Sequence, residues 1–360
     1  MYKVLTTLLI LLSLCTKICA QQTYSISGVI SDAKGETLPA ATIFLDGSQK
    51  RTYSNDKGEF QLANLEPGTY QLTVHFIGYF SSSQNVIITN KSVKLKILMK
   101  ENQIALREVV IKNDPVKDKY MDLFLKNFLG QSPGARSCEL LNPEVLNFSA
   151  YSPFVEVNSD DFLIIENHNL GYRIKYLLRN FKFNRATLVA NFTGECTFEN
   201  LEGTEEQKQK WTKNRKQAYF GSMMHYFRSL YRNELQENGF FTYKVQNDGI
   251  PPLTVRDQPL NADQIAKHTD SKMMTVKFPG KIYTIYDTYD RLSEDPKVNK
   301  KRIKASITRG TGSQVYLYLN NASVDAKGSI VDYRSFLIQG YWGGKRLGDQ
   351  LPFEYDPAAK

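Results

Sequence analysis

The sequence predicts an N-terminal all-β sandwich of about seven strands, followed by an α+β domain that contains a long buried helix. From Tyr24 to Met99, apolar residues recur at every second position, and turn residues interrupt them roughly every eight to twelve positions. From residue 115 onward, helix-like and strand-like patterns alternate. We therefore divide the chain into a sandwich at 23–100, a linker or edge strand at 101–114 and an α+β domain at 115–360.

Residues 1–20 have the pattern of a secretory signal peptide. Lys3 precedes a short apolar stretch at 4–14, and Ala20 provides a small residue for cleavage. The apolar stretch is shorter than the roughly 20 residues that a membrane span needs, and no later segment reaches that length. We expect an exported protein without a transmembrane span in its mature chain, located in the periplasm, at the outer membrane or on the cell surface.

The turn residues of the first domain stand in a specific order. Asn55–Gly58, for example, lies between two strand-like runs and predicts a hairpin loop with glycine at its left-handed position. The full ordered set is Gly28, Val29, Asp32, Gly35, Leu38, Pro39, Ala41, Thr52, Asp56, Gly58, Phe60, Leu65, Pro67, Gly68, Tyr70, Gly78 and Tyr79. This run resembles the carboxypeptidase regulatory-like domain, a transthyretin-like sandwich of exported proteins of the Bacteroidetes kind. The resemblance implies an accessory domain without peptidase activity.

The segment from Leu106 to Ile111 resembles the stretch that follows such a domain in TonB-dependent transporters. The remaining residues, 115–360, are too few for a plug and a large barrel, so a transporter is excluded. Within 101–114, a linker or terminal strand is favoured over a strand that pairs with a partner's sheet edge.

Two helices are predicted in the second domain. Pro115 is a good first helical residue, and Gly130 ends that helix. Thr204 and Gln207 have the spacing of a capping box, which begins a long helix that Gly239 terminates. The second half of this helix is apolar on nearly every side, which predicts burial.

The mature chain contains two cysteines, Cys138 and Cys196. In an oxidising compartment they predict either one disulfide or two separate buried thiols. The formal net charge of +9 becomes +7 without Lys3 and Lys17, and its basic clusters lie at 208–216 and 297–304. Such clusters suit phosphate groups or nucleic acid, but in an exported protein solvated surfaces are favoured, so no nucleic-acid partner is expected.

No catalytic, metal-binding or cofactor-binding signature is found in the sequence. A zinc carboxypeptidase needs a histidine and a glutamate three residues apart, and none of the four histidines is followed by glutamate at that spacing. The acidic pairs Asp160 with Asp161 and Asp287 with Asp290 are favoured as turn residues over a catalytic pair. We therefore expect no cofactor and no metal.

Two functions remain open at this stage. The favoured one is a noncatalytic envelope protein that binds a glycan, a peptide or a partner protein, with the sandwich as spacer or docking module. The alternative is a hydrolase that uses carboxylates or His225 of the second domain. A deep polar pocket would favour the hydrolase and a shallow aromatic groove would favour binding. The oligomeric state is not predicted.

Overall fold

The structure, a computed structural model, describes residues 23–102, 115–247, 254–255, 258–269, 273–288, 295–331 and 335–358. The predicted signal peptide and all but two residues of the predicted linker lie outside the described residues. In the part of the chain that is described, no helix is long and apolar enough to cross a membrane.

The N-terminal domain is a β-sandwich, as predicted. Its strands are β1 Tyr24–Ser31, β2 Thr42–Leu45, β3 Arg51–Tyr53, β4 Glu59–Leu65, β5 Gly68–His75, β6 Tyr79–Phe80, β7 Ser82–Ile88, β8 Val93–Leu98 and β9 Lys100–Glu101. One sheet has the order β4-β1-β8 and the other β3-β2-β5-β7, while β6 and β9 form a small pair. The pairing of β1 with β8 is parallel and the other pairings are antiparallel.

The core of the sandwich follows from the period-two pattern of its strands. Alternate residues of β1, such as Ile26 and Ile30, have no exposed surface and meet Ile43, Leu72 and Ile88 of the other sheet. At the predicted hairpin loop, Gly58 has a φ of +69°, a conformation that glycine adopts without strain.

The second domain begins with a helix that packs on a large antiparallel sheet. Helix α1 is Pro115–Phe128, and the strands are β10 Cys138–Leu140, β11 Leu146–Tyr151, β12 Phe154–Ser159, β13 Leu163–Asn167, β14 Tyr172–Asn184 and β15 Val189–Asn200. Their order is β10-β13-β14-β12-β11, and β15 pairs with β14. Phe124 and Phe128 of α1 fill the core against Phe181 and Tyr176. The sandwich packs on the face of this sheet that is opposite α1.

The predicted long helix is divided in two, which corrects the sequence analysis. Helix α2 is Glu205–Tyr219, with the predicted capping box at Thr204, and helix α3 is Met223–Tyr231. Between them Gly221 has a φ of +78°, and Ser222 caps the new helix through the N–H of His225. In one continuous helix, the polar surface of α2 and the apolar surface of α3 would lie along the same axis. The break at Gly221 lets α2 stay at the surface while α3 enters the core.

The rest of the chain forms two more sheets and a helix. The elements are β16 Phe240–Asn247, β17 Thr254–Val255, β18 Ala266–His268, β19 Met273–Val276, β20 Lys281–Tyr286, α4 Pro296–Arg309, β21 Gly312–Leu317, β22 Ala322–Asp325 and β23 Phe336–Gly340. The larger sheet has the order β17-β16-β20-β21-β23 and the smaller one β18-β19-β22. One face of the larger sheet packs on α3, whereas α4 covers part of the other face through Ile303 and Ile307.

Candidate functional site

Backbone hydrogen bonds join the sandwich to β15, at the edge of the large sheet. The N–H of Gly47 donates to the carbonyl of Cys196 at 2.8 Å, and the N–H of Phe198 donates to the carbonyl of Ser48 at 2.9 Å. The turn after β2 therefore pairs with β15 as a short additional strand. Because backbone pairing fixes direction and register, the two domains have a defined orientation. We call this contact the junction.

A C-terminal segment completes the junction. The N–H of Phe353 donates to the carbonyl of Gly47 at 2.8 Å. The guanidinium of Arg228, on α3, binds the carbonyl oxygens of Lys327, Phe353 and Tyr355. One buried arginine thereby connects the C-terminal segment, and through it the sandwich, to the interior of the second domain.

An apolar contact and a polar network surround these backbone bonds. Phe44 of the sandwich has no exposed surface and packs against Phe162 and Leu177 of the second domain. Glu195 binds Arg179 and accepts a hydrogen bond from Ser83 of the sandwich at 2.9 Å. The junction thus combines a buried aromatic contact with a paired charge.

Asp46 is the acidic residue with the most perturbed titration at the junction. Burial raises the pKa of its carboxyl from 3.8 to about 7, against the effect of the Cys196 N–H, which donates to it at 2.7 Å. The nearby charge of Glu195 raises the pKa further. Asp46 is therefore half protonated near neutral pH.

A serine, a histidine and an aspartate also form a hydrogen-bonded chain across the junction. His75 Nδ1 lies 2.8 Å from Ser81 Oγ, and His75 Nε2 lies 3.1 Å from Asp161 Oδ1. The hydrogen bond with His75 lowers the pKa of Asp161. In a Ser-His-Asp triad the carboxylate is buried and binds Nδ1, whereas the Asp161 side chain is 47% exposed and binds Nε2. The arrangement suits a link between domains better than activation of Ser81.

A shallow cleft opens beside this chain. Its volume is about 200 Å³, below the roughly 300–1,000 Å³ of most ligand pockets. Burial lowers the pKa of Lys175 in the cleft, and the charge of Arg51 lowers it further, although Lys175 also pairs with Glu199. The cleft is lined by Thr42, Tyr53, Asn142, Asp161, Phe162, Ile164 and Lys175. Within the described ranges, no group of three or more His, Cys, Asp or Glu side chains has metal-site geometry.

His225 has a structural position. Its Nδ1 accepts a hydrogen bond from the N–H of Gly221 at 3.2 Å, and its ring lies among Tyr219, Phe240 and Tyr286. Burial lowers its pKa to about 4, so it is neutral at physiological pH. The imidazole holds the break between α2 and α3.

The two cysteines are free thiols, so the disulfide alternative of the sequence analysis is wrong. Cys138 aligns through Asn167 and Tyr172 with Asn200, which lies three strands across the sheet and four residues along β15 from Cys196. With strands about 4.8 Å apart and a rise of about 3.3 Å per residue, this separation far exceeds disulfide geometry. The number of residues between Cys138 and Cys196 in the sequence does not indicate where the two cysteines lie in the sheet.

Asp160 and Asp161 are held separately by other residues rather than paired with each other. Asp161 binds His75, as described above, and Asp160 accepts a hydrogen bond from Asn147. Asp287 lies 3.4 Å from the guanidinium of Arg302, while Asp290 lies outside the described residues.

An exposed aromatic surface lies on the other side of the second domain. The larger sheet's face that carries α4 continues across β21 and β23, where none of the helices that the structure describes packs on it. Tyr318 is 72% exposed, and Tyr316, Leu337 and Tyr341 are 38–45% exposed. Tyr316 pairs directly with Leu337, and Gln314 with Gln339. We call this surface, formed by Gln314, Tyr316, Tyr318, Leu337, Gln339 and Tyr341, the tyrosine platform.

Comparison with protein families defines the N-terminal domain. Residues 26–111 match the family model of the CarboxypepD_reg-like domain. The resemblance predicted from its turn residues is confirmed. The CarboxypepD_reg-like domain accounts for the sandwich, whereas the junction partner and the tyrosine platform both lie outside the matched residues.

Similarity to other known proteins is weak. A search of curated proteins gave no significant match. Among solved structures, 3-chlorocatechol 1,2-dioxygenase from Rhodococcus opacus 1CP is 9% identical over 23% of this chain and 61% of that chain, with a TM-score of 0.20. A streptococcal ancillary pilin is 14% identical over 23% and 33%, with a TM-score of 0.21. A cohesin–X-dockerin complex from Acetivibrio cellulolyticus is 19% identical over 31% and 79%, with a TM-score of 0.22. Scores this low support no inference about function, and this chain spans less than two thirds of the first two proteins.

Sequence reasoning assigned the CarboxypepD_reg-like domain but missed the tyrosine platform. The alternation of Gln314, Tyr316 and Tyr318 with buried Val315 and Leu317 was visible as a strand. Such a pattern identifies an outer face but does not indicate whether another element covers it. The signal that could have found the platform is that this outer face carries aromatic rings where charged side chains are usual.

Proposed function

We propose that this protein is an exported, noncatalytic binding protein of the cell envelope, and that the tyrosine platform takes up its ligand. In this proposal the CarboxypepD_reg-like domain is a docking module held in fixed orientation by the junction. The observation that carries the proposal is the platform itself: Tyr316 and Leu337 are exposed on one sheet face, and Tyr318 and Tyr341 are exposed just beyond the ends of β21 and β23. The pattern of residues 1–20 supports export.

The chemistry of the platform suits recognition of a glycan, a peptide or a partner protein. Tyrosine provides a large contact area with few rotatable bonds, and its hydroxyl group remains available for hydrogen bonds. Gln314 and Gln339 add amide donors and acceptors on the same face. A contiguous exposed surface of this kind marks an interaction site more often than a scattered apolar residue does.

The remaining polar clusters favour binding over catalysis. The cleft beside Asp161 is small, His225 is enclosed by aromatic rings, and the Ser81–His75–Asp161 chain has an exposed carboxylate at one end. Each of these clusters has a structural role at the junction or at the helix break.

The proposal is tested with the full mature protein and a panel of polysaccharides and peptides in solution. Wild type should bind at least one class, and Tyr316→Ala with Tyr318→Ala should weaken that binding at least roughly tenfold, because stacked aromatic groups dominate such contacts. Tyr53→Ala is the matched control, since Tyr53 is 53% exposed but lies on the sandwich beside the cleft. Loss of binding in the control alone would move the site to the cleft and refute the platform.

The Ser81–His75–Asp161 chain makes an esterase the second candidate. An activated serine reacts covalently with a fluorophosphonate. We expect no labelling of wild type above that of Ser81→Ala. Labelling of wild type that Ser81→Ala abolishes would establish the hydrolase instead.

A further inference from the structure

Helix α4, which packs beside the tyrosine platform, carries a stripe of lysines. At 100° per residue, Lys297, Lys300, Lys301 and Lys304 fall within about one third of the helix circumference, and all four are exposed. The opposite side of α4 is buried and contains Asn299, Arg302, Ile303 and Ser306. The basic cluster seen in the sequence is therefore one continuous surface.

The lysine stripe and the tyrosine platform lie on the same side of the larger sheet. Ile303 of α4 packs with Tyr283 and Ile285 on β20. On this same face β20 adjoins β21, where Lys281 pairs with Tyr316. A ligand several nanometres long can therefore contact both α4 and the tyrosine platform.

The sequence of α4, β21 and β23 is rich in basic residues and contains no acidic residue. Residues 296–318 contain six Lys or Arg and no Asp or Glu, and residues 335–341 contain no Asp or Glu either. Of the described acidic residues that border the two segments, Asp295 caps α4 and Asp287 lies against Arg302. The surface is therefore complementary to an anionic ligand.

We infer that the ligand of the tyrosine platform is an anionic polysaccharide, with its sugar rings on the tyrosines and its carboxylates or sulfates near the lysines of α4. The inference rests on the proposed function and specifies its ligand class. Tyr316 lies on β21 and Tyr318 follows its last residue, Leu317, so in an extended chain the two tyrosines are about 7 Å apart, on the order of one sugar residue. The platform contains aromatic and amide side chains and no charged one, which suits sugar rings better than an acidic peptide.

A membrane surface fits this geometry less well. Helices that lie on membranes place apolar residues opposite their lysines for insertion into lipid. On α4 that side, with Ile303 and Ile307, is already packed on the sheet. The lysines therefore flank a ligand on the platform rather than accompany an inserted apolar face.

The test compares anionic glycans with forms of the same backbone that carry less charge or none. Polygalacturonate is paired with its full methyl ester, which is uncharged, and heparan sulfate with its desulfated, N-acetylated form, which loses its sulfates and keeps its carboxylates. Calorimetry on the full mature protein should show at least one anionic member binding roughly tenfold more tightly than its partner, with affinity falling as salt rises. The triple variant Lys300→Gln, Lys301→Gln, Lys304→Gln should remove this preference.

The matched control is Lys210→Gln, Lys213→Gln, Lys216→Gln on the exposed surface of α2, which removes the same charge elsewhere and should leave the preference intact. Equal binding of the more charged and less charged forms would overturn the inference while leaving the proposed function in place. Binding only to polyglutamate or to phosphatidylglycerol vesicles would overturn the glycan assignment. Binding that persists unchanged in Tyr316→Ala with Tyr318→Ala would contradict the proposed function itself.

Discussion

The carboxyl group of Asp46 accepts a hydrogen bond from the backbone N–H of Cys196 at 2.7 Å, across the junction between the two domains. Asp46 follows β2 of the sandwich and Cys196 lies in β15 of the large sheet. Because burial raises the pKa of Asp46 to about 7, its protonation changes near neutral pH.

Replacing Asp46 with asparagine should change the pH dependence of stability. The carboxyl of the folded protein keeps a proton between about pH 4 and 7, whereas the unfolded chain loses it near pH 3.8. The stabilising effect of this proton is complete below pH 3.8 and is lost as pH rises through 7. The unfolding free energy of wild type minus that of Asp46→Asn should therefore fall from pH 4 to pH 7 and remain level above it.

Subtracting the unfolding free energy of Asp46→Asn from that of wild type also removes the effect of His225. The contribution of His225 to stability changes with pH in the opposite direction. Burial lowers the pKa of His225 to about 4, so its contribution to stability is present above pH 6.5 and is lost as pH falls toward 4. His225 is common to both proteins and cancels in the difference. Urea titrations at several pH values provide the measurement, and a pH-independent difference would contradict the shifted pKa of Asp46.

Gly221→Ala should destabilise the protein by about 3 kcal/mol or more, through a left-handed φ and a clash in the core. An added Cβ would lie 2.6 Å from the ring of Tyr286, and Gly221 has a φ of +78°. Gly310→Ala is the control, since its φ is +65° but nothing lies within 4 Å of the added atom. It should cost only about 1–2 kcal/mol. Equal losses in thermal or urea unfolding would show that the Tyr286 contact is unimportant.

Phe44→Ala should distinguish the stability that comes from the junction from the stability that comes from the core of the sandwich. In the full protein it should cost about 3–5 kcal/mol, because Phe44 is buried against Phe162. A fragment of residues 23–100 should fold cooperatively on its own core, but there Phe44 lacks Phe162, and the same substitution should cost less than about 1.5 kcal/mol. Circular dichroism melts measure both. A fragment without a cooperative transition would show that the sandwich depends on the second domain.

Thiol titration tests the separation of Cys138 and Cys196. Mature protein unfolded without reductant should show two reactive thiols. In the folded protein, Cys138 should react slowly with an aromatic disulfide reagent, because burial raises its pKa to about 12 and little thiolate is present. The absence of free thiols after unfolding would restore the disulfide.

The contrast between the CarboxypepD_reg-like domain and the second domain shows what the sequence can predict. Turns such as Asn55–Gly58 depend on local backbone chemistry, so each could be predicted from the sequence around it. Together, these turns indicated the family. The junction depends on Gly47 and Ser48 pairing with a strand roughly 150 residues away, which no local pattern encodes. The break at Gly221 was missed because a single glycine is tolerated in many helices.

Tyrosine footprinting tests the central claim most directly. The mature protein is nitrated with and without a saturating glycan from the binding panel, and the modified residues are identified by mass spectrometry. We expect the ligand to protect Tyr316, Tyr318 and Tyr341 and to leave the exposed Tyr53 and Tyr151 as reactive as before. Protection of Tyr53, with Tyr318 unaffected, would place the ligand in the cleft at the junction and contradict the account.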